Sequence, residues 1–380
     1  MRDLVEIGMG RTARRTYELD DVDIVPSRRT RSSKAVSVAW QLDAYRFEIP
    51  ILSHPTDALG SPEFAIELGR LGGLGVINGE GLWARHADVE AKLEELIETA
   101  ESGDDLDAPI SKLQELHAAP VQPDLLAAAV AKVRAAGVTT AVRVSPQSAR
   151  AMTPALVAAG IDLLVIHGTI ISAEHVGRRD EEPLNLKTFI ADLDVPVVAG
   201  GVSDHRTALH LMRTGAAGVI VGYGSMAGAT TTGEVLGIGI PMATAIADAA
   251  AARRDYLDET GGRYVHVIAD GDISASGHLA KAIACGADAA MLGPPLAIAA
   301  EAPGRGWYWP SAAAHPSMPR GALLPVASAG IRPSLEKVLV GPSNDPYGSL
   351  NFVGGLRRSM AKSGYSDLKE FQRVGLTVRA

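Results

Sequence analysis

With 380 residues, 47% of them hydrophobic, the chain can bury a large core, and a single α/β barrel reaches this length as readily as two or three smaller domains do. Lys and Arg number 36 against 44 Asp and Glu, a net charge of −8, which argues against a general nucleic-acid or anionic-membrane partner, since both need a basic face. A lone cysteine, Cys285, leaves no intrachain disulfide and points to a reducing cytoplasm.

The opening MRDLVEIGMGRTARRTYELDD has arginines but no apolar core, so it does not read as a signal peptide. The pair Arg14-Arg15 is followed by acidic ELDD, which speaks against a twin-arginine leader. No apolar run approaches the ~20 residues of a membrane span. From residue 50 onward one pattern recurs: a helical stretch ends in a small residue and glycine, then an apolar strand ends in a glycine-rich or polar turn. LGRLGGLGVINGEG, AAGIDLLVIHGT, DVPVVAGGVSD, TGAAGVIVGYGS, GRYVHVIADGD and CGADAAMLGPP all follow it. Strands that are continuously apolar predict a parallel sheet covered on both faces. Roughly eight strand candidates favour a closed (β/α)8 barrel over an open doubly wound sheet. Residues 86–123 predict two amphipathic helices around an acidic linker, and 301–350, rich in Pro, Gly and Ala, predicts a long loop or flap. In either architecture the carboxyl ends of the strands carry the chemistry.

Two strand ends stand out. GYGSMAGATTTGEVLG, residues 222–237, crowds Gly, Ser and Thr after a strand, as loops that wrap a phosphate do. It holds a formal G-x-G-x-x-A, but a dinucleotide site also needs a following helix and an acidic residue about 20 positions on, and PMATAI supplies no acid. An ordinary surface loop is the alternative. In IADGDISASGHLAKAIACGADAAMLG, residues 268–293, Asp270 ends a strand, Gly271 permits close approach, and a helix N-terminus follows. Together with Gly293 this suits an anion held after the last two barrel strands. Against it stands the simpler reading that both glycines only permit tight turns. Cys285 sits inside a helix among alanines and reads as an inert buried thiol. His54, His167, His175, His205 and His210 show no metal-ligand spacing, so no metal site is expected; His54 and His167, just past strand ends, are the functional candidates. Asp57 suits either a ligand contact or a helix cap.

These motifs, in this order, resemble the IMP dehydrogenase/GMP reductase family over nearly the whole chain. YELDDVDIVPS (17–27) is similar to its T-F-D-D-V-L-L-V-P, and PILSHPTDALG to its S-x-x-M-D segment. VVAGGV, VGYGS, GIGIPMATAI, ADGDISASG and VGGLRRSM are similar to its V-V-G-G-N, V-G-I-G-P-G-S, G-V-G-V-P-Q-x-T-A-I, A-D-G-G-I-x-x-S-G and G-G-L-R-x-S-M. The chain looks most like the actinobacterial paralogue without the regulatory CBS pair, 86–123 standing where that pair inserts. The resemblance implies one barrel domain over 1–380 in a homotetramer or higher oligomer, and a purine nucleotide held by Ser53, Gly222, Gly224, Ser225, Asp270, Gly271 and Gly293. It implies NAD contacted by His167, Gly168, Gly200 and Gly201, and allows a monovalent cation. The inherited reaction is NAD-dependent oxidation of IMP to XMP through a cysteine adduct.

That cysteine is missing. Counting back from Pro241 its place falls at Thr230, and counting forward from Gly222 at Ala227, with Thr231 and Thr232 beside it and no arginine in the family's C-x-T-R. A hydroxyl is about five or more pK units less acidic than a thiol. His167 stands for an aspartate, Asp272 for a phosphate-contacting glycine, Pro294 for a serine, and the flap shows no Arg-Tyr pair. Three functional readings compete, the first two being an oxidoreductase of purine metabolism with altered chemistry and a silent paralogue that binds a nucleotide or a related enzyme subunit such as active IMP dehydrogenase and regulates guanine-nucleotide synthesis. A barrel moved to another substrate is a third.

Overall fold

The apolar runs fold as eight parallel strands: β1 (Ile51–Ser53), β2 (Val76–Asn78), β3 (Ala141–Val144), β4 (Leu163–His167), β5 (Val197–Val202), β6 (Gly218–Val221), β7 (His266–Ala269) and β8 (Ala289–Leu292). The structure, a computed structural model, describes residues 4–103, 105–168, 171–173, 183–224, 235–311, 322–327 and 330–379. The sheet runs β1-β8-β7-β6-β5-β4-β3-β2. Its two ends meet at Leu74, whose N–H donates to Ile51 O at 3.0 Å and whose carbonyl accepts from Ser53 N at 3.0 Å. This closure makes the ring a barrel, as the strand count predicts.

Every residue of β1, β2, β4, β5, β6 and β8 is buried. That is why these segments read as unbroken apolar runs rather than alternating ones. Helices α1 (Pro62–Arg70), α2 (Val89–Ser102), α3 (Asp107–Ala118), α4 (Pro123–Ala135), α5 (Ala149–Ala159), α6 (Leu186–Ala191), α7 (His205–Met212), α8 (Met242–Thr260) and α9 (Ser276–Cys285) lie between the strands. Each buried Leu, Ile or Val along this wall contributes roughly 1.5–3 kcal/mol. Side-chain caps start several helices: Ser61 Oγ accepts from Phe64 N at 3.0 Å, and Asp204 Oδ1 from Arg206 N and Thr207 N at 2.8 and 3.1 Å.

Helix α9 departs from the expected pattern. Its cap is Ala275, whose methyl group cannot accept a hydrogen bond, and Ser276 N instead donates to Gly348 O at 2.8 Å. The two amphipathic helices expected within 86–123 are α2 and α3, and together with α4 they fill the chain between β2 and β3. Among its described residues, the expected flap carries regular elements. Trp307–Tyr308 pairs antiparallel with Leu324–Pro325, and Leu335–Leu339 is helical. Below the barrel, Asp288 ties together the chain around it: its carboxylate accepts from Val267 N at 2.8 Å, Arg253 at 2.7 Å, Lys369 at 2.6 Å and Tyr264 at 2.8 Å. Among the described residues no helix is long and apolar enough to cross a membrane.

Candidate functional site

Because the strands are parallel, their carboxyl ends share one mouth. Three of them bring chemistry there. His54 follows β1 and continues its ladder, donating its N–H to Leu292 O at 2.8 Å. His167 is the last residue of β4, and its carbonyl accepts from Arg143 Nε and Nη2 at 3.1 and 2.7 Å. Asp270 follows β7, with its N–H on Val221 O at 2.7 Å. His167 Nε2 lies 3.1 Å from Asp270 Oδ2, and His54 Nε2 lies 3.8 Å from the same oxygen. The two imidazoles meet edge to face with centroids 5.3 Å apart.

All three side chains are buried. Burial pushes His54 down to about 4, with the Asp270 charge opposing and His167 and Arg143 assisting. At neutral pH its imidazole is therefore uncharged. His54 Nδ1 lies 3.3 Å from Tyr308 Oη, and burial together with the Asp270 charge raises the Tyr308 hydroxyl well above the usual phenol range. Arg143 is itself held by Glu80 at 3.1 Å, and Glu80 accepts from Ser145 Oγ and Ser148 Oγ at 2.9 and 2.6 Å. This chain of contacts sets the tip of β4 and so the position of the His167 ring.

Beside the triad opens a cavity of about 610 Å³, a size suited to a small organic ligand. Asp270, Gly271 and Gly293 of the expected nucleotide set line it, together with His54 and Tyr308. Gly293 does so for a packing reason: a Cβ there would sit 2.7 Å from Tyr308 Oη. Gly222 and Gly224 instead brace the wall. Gly224 N donates to Asp270 O at 3.1 Å, and Gly222, at φ +109°, leaves 2.1 Å between its would-be Cβ and that same carbonyl. Ser53 is not among the residues lining the cavity, since its hydroxyl accepts from Val76 N at 2.9 Å inside the wall. Asp57 is turned into the buried wall: its Oδ1 accepts from Leu82 N at 3.0 Å, and its Oδ2 lies 3.0 Å from His117 Nε2. Thr230, Thr231, Thr232, Ser225, Ala227 and His175 lie outside the described residues.

The cavity carries acid. Glu18, Asp20, Asp270 and Asp272 line it, and no Lys or Arg does among the described residues. Burial, with Asp272, Asp21 and Asp20 adding to it against the Met242 amide, holds the Glu18 carboxyl above its ordinary range. The helix end expected to receive an anion has its first amide on Gly348 O. The next helix opens with Pro294 and Pro295, which have no N–H. Cys285 closes α9 at its far end, about 15 Å along a helix of this length, and burial pushes its thiol up to about 11.

The profile of the IMP dehydrogenase/GMP reductase domain matches residues 16–315. The chain belongs to the IMP dehydrogenase/GMP reductase family. A crystal structure of an IMP dehydrogenase/GMP reductase-like protein from Corynebacterium glutamicum superposes with a TM-score of 0.92 at 58% identity, covering 99% of this chain and 98% of that one. A protein from Mycolicibacterium smegmatis named as an uncharacterized oxidoreductase is 78% identical over 99% of this chain and all of its own length. One of the same description from Mycobacterium tuberculosis is 76% identical with the same coverage. The actinobacterial branch expected from the motifs is thus the one these relatives come from, and the match runs over a single barrel domain.

NAD, the acceptor the family implies, finds few free groups in the set expected to hold it. Gly168 N donates to Gly200 O at 3.0 Å, Gly201 N to Gly168 O at 3.2 Å, and Gly201 O accepts from Ile171 N at 3.0 Å. The His167 ring is engaged by Asp270.

Sequence reasoning missed Tyr308, Glu18 and Arg143. Tyr308 had a visible signal, the run WYW at 307–309 in a chain only 4% aromatic. Arg143 and Glu80 had none, because their pairing spans two strand ends.

Proposed function

We propose that the chain binds a purine nucleotide at this mouth through its nucleoside half, and that it does not run the family's thiol-dependent oxidation of IMP to XMP. The carrying observation is one of place: Asp270, Gly271 and Gly293 line the cavity while the sole cysteine lies at the far end of α9. A carboxylate such as Asp270 accepts well from a ribose diol, and Tyr308, Met291 and Ile298 offer apolar surface to a base. The phosphate is the poorly served part, with acidic lining and a blocked helix end. Without a thiolate no adduct forms at the purine, and NAD has no hydride to accept.

In this reading the chain acts in guanine-nucleotide synthesis as a non-catalytic relative, assembling as a homotetramer or higher oligomer in the cytoplasm and associating with active IMP dehydrogenase. Purified protein with IMP and NAD, at high enzyme concentration, yields no NADH beyond a control lacking IMP. Purine nucleotides, in contrast, raise its melting temperature. Turnover would restore the oxidoreductase reading, and the absence of any nucleotide-induced shift would remove the binding one.

A further inference from the structure

The imidazoles of His54 and His167 and the carboxylate of Asp270 converge from three separate strand ends. One nitrogen or oxygen from each lies within 4.8 Å of the other two. We infer that these three residues form a binding site for one divalent transition-metal ion of the zinc type, at the edge of the cavity.

The donor set and its geometry carry this inference. Two imidazoles and one carboxylate are a ligand set for zinc and its neighbours, leaving positions for water or another ligand. In a tetrahedral site with bonds of about 2.0–2.1 Å, neighbouring donor atoms stand about 3.3 Å apart. The two histidine-to-carboxylate separations, 3.1 Å from His167 Nε2 and 3.8 Å from His54 Nε2 to Asp270 Oδ2, bracket that value, and the third pair lies within 4.8 Å. Small side-chain adjustments complete the site.

The surroundings suit it too. A metal-bound imidazole uses its other nitrogen to hold its orientation. His54 Nδ1 faces Tyr308 Oη at 3.3 Å, so with Nδ1–H donating to the phenol oxygen, Nε2 presents its lone pair toward Asp270. Arg143 fixes the strand end that carries His167. Gly224 keeps the space beside His54 Nε2 open, since a Cβ there would come to 3.6 Å. Asp270 and His54 both line the cavity, which gives the ion an entry path. The acidic residues around it attract a cation, and a bound cation would reverse the sign of the field a ligand meets there. The inference does not depend on the nucleotide reading, because nothing in it requires a nucleotide.

The test uses untagged full-length protein stripped with chelator and free of nucleotide. Titration with zinc chloride gives one tight equivalent in the wild type. Affinity falls at least about tenfold in His167→Ala and in His54→Ala, and by a similar factor in Tyr308→Phe through loss of the orienting contact. Cobalt chloride in the wild-type protein gives the strong visible absorption of a low-coordinate site, a signature that does not depend on any variant folding. No saturable zinc binding overturns the inference, as does binding of unchanged affinity in both histidine variants. So does a cobalt spectrum as pale as that of the hydrated ion. A nucleotide titration that fails while zinc binds would remove the proposed function and leave this site standing.

Discussion

His167 Nε2 and Asp270 Oδ2 approach to 3.1 Å across the mouth of the barrel, joining the tips of β4 and β7. The two residues are far apart in the chain, and only closure of the ring brings them together. Asp270→Ala removes this contact and the carboxylate proposed to hold the ribose. The expected outcome is loss of the nucleotide-induced rise in melting temperature, with the far-ultraviolet circular dichroism unchanged. A retained shift in this variant would place the nucleotide elsewhere.

Arg143 lies between β2 and β4, donating twice to the His167 carbonyl and once to Glu80. Arg143→Ala strands the Glu80 carboxylate in a largely buried setting. Chemical unfolding then shows a loss of about 3–5 kcal/mol. Combining it with Glu80→Gln recovers part of that loss, because the orphaned charge is gone.

Below the barrel, Arg253 and Lys369 hold the buried Asp288 carboxyl near 2, against the burial that would raise it. A carboxyl lowered from its ordinary 3.8 in the folded state contributes stability above pH 3.8, and loses it as the pH falls toward 2. Asp288→Asn leaves Arg253 and Lys369 without their partner, and lowers stability at neutral pH by about 3–5 kcal/mol in urea unfolding. The deficit narrows as the pH drops through that window.

His54 and His266 are both pushed by burial down to about 4 from 6.5. Between those values the unfolded chain binds protons that the folded chain refuses. Stability therefore holds above pH 6.5 and declines as the pH falls toward 4, by at most about 1.36 kcal/mol per pH unit for each group. The His54→Gln variant flattens the decline when unfolding is followed across this range. An unchanged slope would mean that His54 is not buried as a neutral ring.

The barrel was legible in the sequence because strands buried on both faces must be apolar throughout, and VVAGGV and LLVI are so. β3 was harder to see, since Arg143 interrupts AVRV. Asp270, Gly271 and Gly293 were readable as strand-end residues, and the structure places all three on the cavity. The His54–His167–Asp270 cluster was not. Metal-ligand spacing is a local signal, whereas these ligands come from strands set apart around a ring. At the N-terminus of α9 the sequence could not show that the chain near Gly348, distant in sequence, supplies the carbonyl that takes the first amide.

The central claim is that this mouth recognises the nucleoside half of a purine nucleotide and gains little from the phosphate. Calorimetric titration of metal-free protein with inosine and then with IMP tests it most directly. The account predicts saturable binding of both, with affinities within about tenfold, a difference of about 1.4 kcal/mol. No saturable heat from either ligand, or tight binding of IMP with none of inosine, would contradict it.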